Sequence, residues 1–314
     1  MTGPVIEFRD VTRTFGGVGG IGRRTIALDR FSLAIEPGEV VALVGRNGAG
    51  KTTALRLANG VLWPDAGTVR VLGLDPARDG LAVRARVALL SEESALSPWM
   101  TVGEILRYGA SLAPRWDPRV ADQFVERLAL DRRAKIRSLS RGTKAKVALA
   151  LAVGARPEVL LLDDPTAGLD PLVRREVLEG ILAAIHGEGG AVVYASHLIH
   201  DLERVADRVV YLDAGQVRLE GSLDDLRHRV KRLTAVFASE APELPPFPGL
   251  LDQRADGRTL AVIAEGWDEA GSDESVRRLR ALGATHVTVE DLGLEEILVA
   301  ALRHRVPAKE TSHV

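Results

Sequence analysis

Gly45-Arg46-Asn47-Gly48-Ala49-Gly50-Lys51-Thr52-Thr53 has the residue types that a triphosphate needs from a protein backbone. Glycines let the chain turn tightly so that successive N–H groups face the phosphates, and a helix beginning at the end of the loop adds partial positive charge. Lys51 would reach the β- and γ-phosphates, and the Thr52 hydroxyl would ligate Mg²⁺. The plain alternative is an ordinary glycine-rich turn. Context argues against it: the apolar run Val40 to Val44 precedes the loop as a buried strand would, and Ala54 to Ala58 continues it as a helix ending near Asn59-Gly60.

The elements that must hold this loop follow from hydrophobic periodicity. Short strands are expected at Val5 to Phe8, Phe31 to Ile35, Val40 to Val44 and Thr68 to Val71, each bounded by Gly, Pro or Asp turn signals. Phe15 to Gly22 reads as a glycine-rich surface loop. From Thr101 to Leu139 the pattern is helical, with Val102, Ile105 and Leu106 on one face and Phe124, Val125, Leu128 and Leu130 on another. Val159 to Leu162 and Ala191 to Ala195 are continuous apolar runs of the kind found in central parallel strands, so the body is α/β. Past Leu226 the character changes. A Pro-rich stretch at Glu243 to Gly249 lies among strand-like Thr234 to Ala238, Leu260 to Ala264 and His286 to Val289 and helix-like Ser275 to Leu282 and Leu294 to Leu302, giving a small α+β domain.

Composition narrows the class. At 314 residues a large domain with a smaller one is expected. A net charge of −2 argues against a dedicated nucleic-acid binder. With zero Cys there is no disulfide, no Cys-ligated zinc and no thiol catalysis. The N-terminal residues alternate like a strand rather than a signal peptide, and the longest apolar stretch, Val147 to Ala155, is far below the ~20 residues of a membrane span. A soluble chain is expected, with any membrane role exercised through a partner.

Downstream motifs decide among the many nucleotide-binding folds. Leu139-Ser140-Arg141-Gly142-Thr143 stands before a helix-like segment, Val159 to Pro165 places the pair Asp163-Asp164 at a strand end, Ala167-Gly168-Leu169-Asp170 follows, and Ser196-His197 comes directly after the strand Ala191 to Ala195. In this order the chain resembles the ATP-binding cassette (ABC) ATPases over roughly Val5 to Leu226. The resemblance implies a P-loop NTPase fold of mixed sheet core, antiparallel β subdomain and helical subdomain. The cassette would span residues 1–226, its helical subdomain about residues 95–155, and the C-terminal α+β domain residues 227–314.

The same resemblance implies the roles. Ser140, Arg141 and Gly142 would form the signature that binds the γ-phosphate of ATP held by the opposite subunit, though Ser140 is equally a plain N-cap. Asp163 would hold Mg²⁺ through water, Asp164 would be the general base, Asp170 would sit in the loop that communicates across the dimer, and His197 would contact the γ-phosphate. Phe15 occupies the region where the family stacks an aromatic on adenine. A second ABC subunit, identical or not, a separate transmembrane permease and a place on the inner face of the cell membrane are the implied partners and location.

Three positions depart from the family pattern. Asp164 replaces a glutamate, retracting the carboxylate by on the order of 1 Å, a displacement able to cost about a hundredfold in rate. Glu92 stands where a glutamine is usual; it either adds a metal-ligating carboxylate that offsets Asp164 or is an exposed acidic residue. Arg141 replaces the first signature glycine and would face the partner's phosphate, a carboxylate such as Asp170, or solvent; such variants resemble a branch of bacterial single-cassette exporters. The expected function is therefore the ATP-hydrolysing subunit of a transporter, with a soluble non-transport ABC ATPase and a slow partner in a heterodimer as the alternatives.

Overall fold

Five hydrophobic residues in a row, Val40–Val44, have no polar face to show to water, and in the structure all five are buried in the middle of a sheet. The structure is a computed structural model that describes residues 3–16, 24–91, 96–188, 190–203, 205–267 and 271–303. The chain runs through β1 (Ile6–Phe15), β2 (Thr25–Ile35), β3 (Val40–Val44), α1 (Lys51–Ala58), β4 (Ala66–Val71), α2 (Gly80–Arg84) and β5 (Val87–Ser91). Three helices follow, α3 (Val102–Leu112), α4 (Pro118–Arg127) and α5 (Arg141–Gly154), then β6 (Val159–Asp163), α6 (Pro171–Glu188), β7 (Ala191–Ser196), α7 (Ile199–Leu202), β8 (Arg208–Asp213) and β9 (Gln216–Ser222). The last part comprises α8 (Leu223–Arg229), β10 (Val230–Phe237), β11 (Leu250–Asp256), β12 (Thr259–Glu265), α9 (Gly271–Ala281), β13 (Ala284–Asp291) and α10 (Leu294–Arg303).

The central sheet has the order β5-β6-β7-β3-β8-β9, parallel from β5 to β8. Its register is what builds the site. Val44 pairs with Ser196, Asp163 with Ala195 and Ser91 with Asp163, so the carboxyl ends of β3, β5, β6 and β7 finish at one edge. Ligands of open parallel sheets bind outside that edge. A separate antiparallel sheet, β2-β1-β4, packs its buried residues into the same core as β3 and α1. There Phe8 meets Phe31 edge to face at 5.1 Å.

The expected helical stretch from Thr101 to Leu139 resolves into α3, α4 and a short 3-10 turn at Ile136–Ser138. Thr101 and Glu104 form a reciprocal capping box at the start of α3, and Asp117 caps α4 with Pro118 in its first turn. Both helices pack on α5.

Contacts divide the chain into two compact units after Glu220 rather than at Leu226. Leu226 is fully buried within α8, a helix packed on β10 and α10, and so belongs with the second unit. That unit is an antiparallel sheet of order β11-β12-β10-β13 with its own core of Leu233, Phe237, Leu260, Val262 and Leu279. The Pro-rich segment has no regular structure, yet it inserts Phe247 into this core.

Candidate functional site

The loop after β3 is shaped by what cannot fit there. A Cβ on Gly45 would run into the Leu212 carbonyl oxygen, and Gly50, at φ +114°, would meet the Ala27 carbonyl. Gly48 has φ +82° with open space around it, so its backbone, not its surroundings, demands glycine. Arg46, Asn47 and Gly48 are exposed at the rim, Ala49 and Gly50 are buried, and Thr53 is half-buried in the first turn of α1.

Lys51 opens α1 and is buried, its Nζ donating to the carbonyl oxygens of Gly45 at 2.7 Å and Arg46 at 3.3 Å. The ammonium therefore lies inside the loop. Burial pushes its pKa down, against the pull of Asp164 and Asp163. The neighbouring Thr52 hydroxyl donates to Asp163 Oδ1 at 2.9 Å, joining the loop to the end of β6. Burial raises the Asp163 carboxyl above its ordinary range, Thr52 opposes this and Asp164 adds to it. One carboxylate and one hydroxyl beside phosphate oxygens make a shell suited to Mg²⁺, which takes few protein ligands and keeps several waters.

Asp164 carries a left-handed backbone, φ +47°, a conformation that Asp tolerates better than most residues. Its N–H donates to Ala195 O at 2.9 Å. Three donors then converge on Oδ1: the Ser196 hydroxyl at 3.0 Å, the His197 N–H at 3.3 Å and His197 Nδ1 at 3.0 Å. A cavity of about 110 Å³, with room for water, is lined by Asp164 together with Ser91, Arg141 and Lys144 among others.

Ser140 is the N-cap of α5, accepting from Thr143 N at 3.1 Å. Gly142 is buried where any Cβ would meet Val173 Cγ1 at 2.7 Å, so glycine admits α6 against the start of α5. Asp170 caps α6, accepting from Leu172 N at 3.2 Å and Val173 N at 3.1 Å. Phe15 ends β1 with its ring partly exposed. Glu92 lies outside the described residues.

Comparison with known proteins places this geometry. An ABC transporter family model matches residues 28–167. The daunorubicin resistance ATP-binding protein DrrA2 of Streptomyces coeruleorubidus is 32% identical over 302 residues, covering 90% of this chain and 92% of the relative. The chain belongs to the ABC transporter ATP-binding family. It is an ATPase of the ABC type, the ATP-binding subunit of a transporter. DrrA3 of the same organism is 37% identical over 206 residues, spanning 64% of this chain and 65% of the relative. Among solved structures, a dimeric bacterial ABC transporter cassette superposes with a TM-score of 0.61 at 25% identity, over 69% of this chain and 98% of that one.

Within this ABC cassette the Arg141 guanidinium lies against Gly168 of the same chain. A Cβ built on Gly168 would meet Arg141 Nη1 at 2.5 Å. Ser196 escaped the motif reading as a partner of Asp164, although a hydroxyl directly before the histidine was the available signal. Thr166 and Tyr194 were missed as well. Their hydroxyls lie 3.0 Å apart in the core behind the Asp164 turn, and a tyrosine inside a wholly buried strand was the sign that such a bond must exist.

Proposed function

We propose that this ABC cassette is the energy-coupling subunit of an exporter, binding ATP and Mg²⁺ between the Gly45–Thr53 loop of one copy and the Ser140-Arg141-Gly142 signature of a second cassette. The observation that carries the reading is the convergence of Lys51, the Thr52–Asp163 pair and the Asp164–His197 pair at one edge of the parallel sheet.

The geometry supports a division of labour. Loop N–H groups and Lys51 hold the phosphates, and Phe15 carries the adenine. Thr52 and Asp163 would hold the ion, which when bound would neutralise charge on the phosphates. Asp164 orients and takes the proton of the attacking water, and His197 orients Asp164 from the far side while facing the γ-phosphate. Asp170 holds the start of α6 for contact with the partner cassette. Binding would close two cassettes on each other and hydrolysis would release them, moving a separate membrane subunit.

Export as the direction is supported by resemblance to the daunorubicin resistance ATP-binding proteins, because resistance served by an ATP-driven transporter requires the drug to move outward. The inner face of the cell membrane is where a cassette that drives a membrane subunit would sit. No helix of the described residues is long and apolar enough to cross a membrane. A slow role in a heterodimer is the second reading, favoured by the short Asp164 carboxylate already engaged through Oδ1.

The shared site has a direct test because the chain contains no cysteine. With Asn47→Cys and Ser140→Cys in one chain, a short thiol cross-linker should join two copies only when a non-hydrolysed ATP analogue is present. Absence of cross-linked dimer with the analogue bound would sink the shared-site reading for identical copies. Purification of the tagged chain from its native membranes tests the separate membrane subunit: a membrane protein should copurify in a fixed ratio, and its absence would defeat the proposal.

A further inference from the structure

The ring of Phe15 is not a free-standing aromatic. Arg13, two residues earlier on β1, places its guanidinium carbon 5.0 Å from the ring centroid, within cation–π range. The same guanidinium donates through Nη1 to Asp65 Oδ1 at 2.8 Å. Asp65 Oδ2 accepts from both the Thr14 N–H and the Thr14 hydroxyl, each at 2.7 Å, and Asp65 N donates to Thr12 O at 2.8 Å. One carboxylate therefore ties down the side chain of Arg13 and the backbone between Arg13 and Phe15. The Arg13 Nε–H is buried with no hydrogen-bond partner among the described residues. Such an orphan donor costs free energy, and the placement it accompanies sets the guanidinium against the ring.

We propose that Arg13, braced by Asp65, is a positioning residue for the nucleobase: it backs one face of Phe15 so that the other face is a fixed platform for a purine. The proposal rests on the reading of Phe15 as the adenine contact. Its physical basis is preorganisation. A ring held by a cation on one side loses less freedom when a base stacks on the other, so more of the stacking energy appears as affinity. The platform reads only a π-face, so it serves adenine and guanine alike and contributes nothing to the phosphates.

The test separates base from phosphate. Binding of ATP, GTP and inorganic tripolyphosphate is measured on the full chain by calorimetry for wild type, Phe15→Ala, Arg13→Gln, Arg13→Lys and Asp65→Asn. Phe15→Ala should weaken ATP and GTP about tenfold and leave tripolyphosphate unchanged. Arg13→Gln should weaken both nucleotides about threefold with tripolyphosphate again unchanged, and Arg13→Lys should restore part of the loss. Asp65→Asn should fall on the same side as Arg13→Gln. Unchanged tripolyphosphate affinity certifies that the loop of each variant is folded. If Phe15→Ala weakens ATP while Arg13→Gln binds it like wild type, Arg13 is not part of the platform and the inference fails. If Phe15→Ala itself leaves the preference for ATP over tripolyphosphate intact, the adenine reading of Phe15 fails and the inference with it. An equal loss of all three ligands in Arg13→Gln would assign Arg13 to the fold of the sheet and overturn the proposal too.

Discussion

His197 Nδ1 lies 3.0 Å from Asp164 Oδ1, and Ser196, the last residue of β7, donates its hydroxyl to the same oxygen at 3.0 Å. Ser196 Oγ also accepts from Leu198 N at 3.1 Å, which leaves its single proton for the carboxylate. The Asp164 carboxylate is thus oriented by the strand that delivers the histidine.

Asp164→Asn should retain the left-handed turn and the Ser196 hydrogen bond, so ATP affinity should hold while single-turnover hydrolysis falls on the order of 10²- to 10⁴-fold. Ser196→Ala should lower the rate about tenfold with little change in ATP affinity, as expected when one hydrogen bond to a charged group is lost. Rapid-quench hydrolysis together with equilibrium nucleotide binding checks both. A Ser196→Ala enzyme with the wild-type rate would show that His197 alone orients the base.

Gly45→Ala is expected to destabilise the first unit by about 1–3 kcal/mol, because the added methyl meets the Leu212 carbonyl in β8, a backbone group that cannot step aside. Nucleotide binding should fail along with it. Gly48→Ala is the contrasting case: its surroundings are open, and only the cost of φ +82° remains. Chemical denaturation of the two variants measures the difference.

The contrast between these glycines marks what a sequence can and cannot carry. The loop, the strands β3, β6 and β7 and the amphipathic helices α3 and α4 are legible because one unbroken apolar run or one 3.6-residue stripe defines each. β11 is not, since Leu250–Asp256 reads LLDQRAD, without alternation, at the edge of its sheet. β9 is likewise a polar edge strand, set in place by the Ala214-Gly215 turn, where both residues have positive φ as a two-residue hairpin requires. Asp163, Asp164 and His197 could be chosen from their places at strand ends. That three donors share one Asp164 oxygen depends on the register between β6 and β7, which no local pattern encodes.

Glu158 gives the pH dependence. Its carboxylate accepts from Arg86 Nε at 2.8 Å and Nη2 at 2.7 Å and also pairs with Arg115, between α3 and α4, and the Arg86 hydrogen bonds hold its pKa below the usual carboxylate value. Because the folded value is depressed, the stabilisation is complete above the unfolded pKa of about 4.3 and disappears as pH falls through the folded one. Glu158→Gln should therefore lower stability by about 1 kcal/mol at pH 7, or roughly 2–4 °C in Tm, with the gap to wild type closing in strong acid. Thermal unfolding across pH reads this directly; a gap that persists below the folded pKa would assign the loss to packing instead of charge.

The Arg141 guanidinium at the start of α5 lies against Gly168. Gly168 has φ +65°, so Gly168→Ala carries a backbone cost of about 1–2 kcal/mol whatever surrounds it. In addition the new methyl would have to displace the Arg141 guanidinium, whose Nη1 and Cζ lie 2.5 and 2.9 Å from where it would stand. Arg141→Ala removes the second cost and leaves the first. The two substitutions should therefore couple: Gly168→Ala should be less damaging in the Arg141→Ala background by about 1 kcal/mol. Urea denaturation of the four proteins in the cycle measures this. Strict additivity would mean that the guanidinium yields to the new methyl without cost. Coupling of the expected size would mean that Arg141 must leave Gly168 before it can reach across a dimer, so that ATP-driven association in the Arg141→Lys variant, which lacks the planar group over the glycine, should begin at lower protein concentration than in wild type.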